Sequence, residues 1–126
     1  PFETIFKLAV DDTVEPGMIE VDTDDDKIGI LAESATHTAL DSMRNLPATR
    51  SVMLSAVYMP VIADIVSRMQ LGDKSFEAQR WFQVFSAKCD DLGIQPNDPS
   101  VSPLRVAQLL LKAPLKQTTK AMEAAS

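Results

Sequence analysis

The chain has 126 residues, 45% of them hydrophobic, with a net charge of -6 and a sequence pI of about 4.6. That length suits one domain around one core, and that apolar content excludes a chain disordered throughout. The acidic balance argues against a nucleic-acid binder, which needs a basic footprint to release counterions from phosphates.

Charge is spread unevenly. Residues 1–26 hold nine acids against Lys7, a net of -8, while residues 101–126 hold Arg105, Lys112, Lys116 and Lys120 against Glu123, a net of +3. Such ends attract one another, within a chain or between copies, although a solvated surface is the ordinary use of such charge. Cys89 is the sole cysteine, so no internal disulfide forms and a soluble, cytoplasmic protein is expected. The N-terminus has neither the basic region nor the long apolar stretch of a signal peptide.

In chain order, residues 1–10 fit a helical stripe (Phe2, Ile5, Phe6, Ala9, Val10) and equally one face of a strand (Phe2, Phe6, Leu8, Val10). Asp11 to Gly17 reads as a loop. Met18 to Val21 reads as a short strand, which forms a hairpin with residues 3–10 if those are extended. Residues 1–26 as a whole form an acidic, irregular segment. The aspartates Asp22, Asp24, Asp25 and Asp26 are placed to cap a helix whose stripe is Ile28, Leu31, Ala32, Ala35, Ala39, Met43 and Leu46. Gly29 weakens the start of that helix by about 1 kcal/mol relative to alanine.

Pro47 opens a second helix. It carries the apolar run Val52–Val66, which is too short to span a bilayer and reads as a core helix. Pro60 should kink or break it, and Gly72 should cap it. Ser75 caps a third helix with the stripe Ala78, Trp81, Phe82, Phe85, Cys89 and Leu92, closed by Gly93. A proline-containing loop over 94–101 follows. Ser102 and Pro103 open a fourth helix with Val106, Leu109, Leu110 and Ala113 on one face; Pro114 ends it, and residues 116–126 are expected to fray. The expected fold is mainly α: one domain, a compact bundle of about four helices, with the N-terminal hairpin left open. Its core is Val52–Val66 packed on the Trp81 stripe and on the Leu109–Leu110 face.

Asp22, Asp24, Asp26 and Glu33 stand at positions 1, 3, 5 and 12 of a twelve-residue window. That spacing resembles the calcium loop of EF-hand proteins, and the resemblance implies oxygen ligation of calcium. Lys27 stands where that loop has glycine, and Gly29 where it has an apolar residue. Pro1, if the mature chain begins there, has a free secondary amine. The tautomerase superfamily uses such a proline as general base, and Leu92 to Asp98 looks like the loop after the long helix of that family's second repeat. That resemblance implies two βαβ units and catalysis by Pro1.

His37 is the only histidine, which excludes a multi-histidine metal site within one chain. Asp41 lies one helical turn on and is suited to orient it, though a surface pair is the ordinary reading. Cys89 lies on an apolar stripe and reads as a small buried thiol. Trp81, Phe82 and Phe85 read as core rather than as a platform for bases. The four glycines have neither dinucleotide nor P-loop spacing. No residue is therefore assigned a catalytic, cofactor-binding or metal-binding role. The preferred expectation is a non-enzymatic interaction or assembly domain with a protein partner or a second copy, and neither nucleic acid nor membrane. A calcium module over 22–33 or an enzyme using Pro1 is the alternative.

Overall fold

The computed structural model describes residues 2–125 and has a mainly α fold with a small sheet at its N-terminal end. After a 3-10 turn over Phe2–Ile5, strands β1 (Phe6–Val10), β2 (Glu20–Asp22) and β3 (Ile28–Ala32) form a sheet in the order β1-β3-β2. β1 and β3 are parallel, from Phe6 opposite Ile28 to Val10 opposite Ala32, and β2 is antiparallel to β3, with Val21 opposite Ile30. The N-terminal segment holds a 3-10 turn and two strands, and the hairpin that the sequence left open does not form because β3 lies between its two strands. The spacing of Ile28, Leu31 and Ala32 fits a helical turn, but period two prevails. Ile28, Ile30 and Ala32 are buried, while Gly29 and Leu31 face the other side, half-buried. β-Branched Ile28 and Ile30 suit a strand, and Gly29 disfavours a helix.

Helix α1 (Ser34–Asn45) starts after β3, and its cap is Glu33 rather than the aspartates. The Glu33 carboxylate accepts the backbone N–H groups of Ala35 (2.9 Å) and Thr36 (2.6 Å). These bonds and the Thr36 hydroxyl, the largest cause, hold the carboxyl below its ordinary pKa. Helix α2 (Pro47–Gln70) has Pro47 in its first turn and runs for 24 residues. Pro60 does not break it. The turn just before, Leu54–Tyr58, widens to a π-helix in which the Met59 N–H donates to the Leu54 carbonyl. The wider turn takes up the clash that a proline ring makes with the preceding turn. By length and composition, α2 is apolar enough to cross a membrane, with a mean hydropathy of 1.5; half of that stretch is buried inside the fold, as in a core helix.

Helices α3 (Arg80–Asp91), α4 (Pro103–Leu110) and α5 (Pro114–Ala125) complete five helices among the described residues, rather than about four. The fifth is the segment expected to fray. It packs on the start of α2, where the Thr118 hydroxyl donates to the Ser51 carbonyl at 3.2 Å. Gly72 and Gly93, at φ 90° and 69°, end α2 and α3. Their left-handed turns let Asp73 N bond Arg68 O (3.0 Å) and Ile94 N bond Cys89 O (2.8 Å). Ser75 is not a cap: it lies in a run of turns, where its N–H donates to Asp73 Oδ1 at 2.9 Å, and α3 begins five residues later. Ser102 does cap α4, accepting Arg105 N at 3.2 Å.

Between α4 and α5, Lys112 and Ala113 both adopt the left-handed region, at φ 58° and 54°. That conformation costs a side chain roughly 1–2 kcal/mol, partly offset by the entropy glycine loses on folding. Ala113→Gly is therefore expected to stabilise the fold by about 0.5–1 kcal/mol in urea unfolding.

The core joins the inner face of the sheet to α2, α3 and α4, with Leu40 and Met43 of α1 packed against it. Ile28, Ile30, Met53, Ile62, Ile65 and Val66 are inaccessible to within 1% and pack with Trp81, Phe85, Val106 and Leu110. The expected Leu109–Leu110 face is only half right: Leu110 is buried, and Leu109 is 43% exposed. Phe6 of β1 stacks on Tyr58 of α2, centroids 4.4 Å apart.

Candidate functional site

Two acids of the calcium-like window serve local structure, while Asp24, Asp25 and Asp26 are exposed. Asp22 Oδ1 accepts Asp24 N at 2.9 Å, and Glu33, beyond the whole of β3, caps α1. The four acids of the calcium-like window are not gathered, and no group of three or more His, Cys, Asp or Glu able to hold a metal is found among the described residues. His37 is half-buried on α1, and the Asp41 carboxylate pairs with Arg44 instead. Pro1 lies outside the described residues. The tautomerase resemblance implied βαβ units, whereas residues 11–27 between parallel β1 and β3 hold β2 and loops. The ion pairs found among the described residues, Arg44–Asp41 and Arg68–Asp73, are local and do not join the acidic N-terminal segment to the basic C-terminal one.

Cys89 is 1% exposed, and burial, with a smaller contribution from Asp90, pushes its thiol up to about 11. It is neutral and shielded, the opposite of a reactive thiolate. A thiol reagent at pH 8 is expected to label native protein only as fast as it unfolds; rapid labelling would contradict this burial. Since the unfolded thiol ionises near 9 and the folded one near 11, the contribution of Cys89 to stability falls as pH rises through that window.

What the fold does gather is cationic. A hollow of about 730 Å³ opens where the edge of the sheet meets the corner between α1 and α2. Lys27 reaches it from the loop before β3, Arg44 from the last turn of α1, and Arg50 from the first turns of α2. Its apolar wall includes Phe6, Met53 and Leu54, with Tyr58 beside them. Burial raises the Tyr58 pKa; Arg44 and Arg50 oppose that rise and Glu3 adds to it, so the phenol stays protonated at neutral pH. Arg44 is tethered by Asp41, while Lys27 and Arg50 have no ion pair among the described residues. In a chain of net charge -6, three cations beside one lining acid, Glu3, make a local excess of positive charge, and a concave, low-dielectric surface concentrates its field.

The loop that carries Lys27 is held from below. Thr23 is 5% exposed, its carbonyl accepts the Trp81 indole N–H at 3.1 Å, and its hydroxyl accepts from Arg68 at 3.4 Å. Nothing in the sequence announced this hollow. Lys27 ends an acidic run, Arg44 lies near the end of one helix and Arg50 near the start of the next; the corner at Leu46 and Pro47 brings the two arginines to one side. Comparison with protein-family models, with curated proteins and with solved structures finds no match to this chain.

Proposed function

We propose that this chain is a non-enzymatic interaction domain that docks an acidic segment of a partner protein in the hollow bordered by Lys27, Arg44 and Arg50. The observation that carries the reading is the convergence of these three cations, from three separate elements, on one concavity with an apolar wall. Supporting it, three groups that could serve as nucleophile or base are occupied or shielded: Cys89 is buried, and Asp41 and Glu33 have hydrogen-bond or ion-pair partners. Carboxylates steered into a cationic hollow gain on-rate and orientation, and apolar neighbours add affinity at the centre.

Calorimetric titration with the three-residue probe acetyl-Glu-Asp-Glu-amide tests it. The peptide is expected to bind weakly, with affinity falling as salt is raised. Arg50→Glu should weaken it about tenfold or more, which corresponds to about 1.4 kcal/mol. Arg105→Glu, on α4, should leave it unchanged. An affinity indifferent to Arg50→Glu, or no binding at low salt, contradicts the reading.

A further inference from the structure

A second hollow of about 290 Å³ lies beside the first, and the two share Thr4 and Lys27 as lining residues. Its far wall belongs to α3, with Arg80, Trp81 and Val84. Resting on the docking reading above, we infer that the two hollows form one groove, and that its occupant is an extended peptide of alternating acidic and apolar residues running from Arg50 across Lys27 to Arg80.

Three observations support this. The hollows adjoin at Thr4 and Lys27, which line both. Val84 is 45% exposed on this wall, a seat for an apolar side chain. Arg80 occupies the first turn of α3, with no acid in that turn. A cation there opposes the helix macrodipole, a cost that an anionic partner offsets. The groove suits a peptide better than a nucleic acid. Glu3 and Asp26 stand among its cations, so an occupant fits only if its own charges are spaced apart, as alternation with apolar residues spaces them; a phosphate backbone has no such gaps. Its aromatic rings, Phe6, Tyr58 and Trp81, are 6%, 5% and 1% exposed and offer no face for base stacking.

Trp81 is the only tryptophan and reports on the second hollow. The probes are the three-residue peptide and the eight-residue acetyl-Glu-Leu-Asp-Leu-Glu-Leu-Asp-Leu-amide. The longer peptide should bind more tightly and change Trp81 emission. Arg80→Glu should weaken it by about fivefold or more while leaving the shorter peptide unaffected. That variant places an acid at a helix start, which favours folding, and circular dichroism checks it. A longer peptide that binds no tighter, or that ignores Arg80→Glu, overturns the extended groove while the shorter peptide still binds. Failure of both peptides removes the docking reading itself. An oligouridylate bound as tightly as the peptide assigns the groove to nucleic acid and overturns the inference.

Discussion

Trp81→Ala should lower the unfolding free energy by about 3–5 kcal/mol, the range for deleting a large aromatic from a packed core. Trp81 is 1% exposed and lies against three rings: Phe76 at 5.3 Å, and Phe82 and Phe85, edge to face, at 5.7 and 6.3 Å. Its loss also strands the carbonyl of Thr23, a residue buried to 5% exposure. Urea unfolding followed by far-ultraviolet circular dichroism measures the effect. Trp81→Phe separates its two parts: it keeps most of the packing and should still cost about 1–3 kcal/mol for the unpaired carbonyl. A loss below about 1 kcal/mol for Trp81→Ala would be out of line with any well-packed site.

Arg68→Ala should cost about 1–2 kcal/mol, the sum of several modest contacts. Its guanidinium lies 5.1 Å from the Phe76 centroid, pairs with Asp73 at 3.1 Å and donates to the Thr23 hydroxyl at 3.4 Å. The ion pair is about one-third exposed on both sides, so solvent screens it and the packing on Phe76 carries much of the effect. Because Arg68 and Trp81 meet at Thr23, the costs of their double variant should not add, and a double-mutant cycle reads the coupling. The same residues hold the loop that presents Lys27, so Arg68→Ala should also weaken acidic-peptide binding without touching the hollow. On the proposed function, one threonine links stability to recognition.

Much of the helical framework was legible because its punctuation is local. Pro47, Gly72, Gly93, Ser102 and Pro103 each act on the one or two residues beside them, and all five sit where their chemistry placed them. The Trp81–Phe85–Cys89 face was legible because a 3.6-residue period needs no partner to define it. The sheet was not. A five-residue strand such as Ile28–Ala32 shares its spacing with a helical turn, and its parallel partner Phe6–Val10 is separated from it by the whole of residues 11–27. The helical tail was hidden because its alanines and lysines set only a weak stripe, and its packing on Ser51 is a long-range contact. The cationic hollow was hidden for the same reason. Its charges sit at positions 27, 44 and 50, scattered among opposite charges, and only tertiary structure assembles them.

The measurement that bears most directly on this reading is a map of backbone amide shifts in isotope-labelled protein titrated with the eight-residue acidic peptide. The changes should concentrate on Thr4, Lys27, Arg44, Arg50 and Arg80, and fade as salt is raised. Changes centred instead on the exposed apolar residues of α4 and α5, around Leu109, Leu115 and Met122, would contradict it.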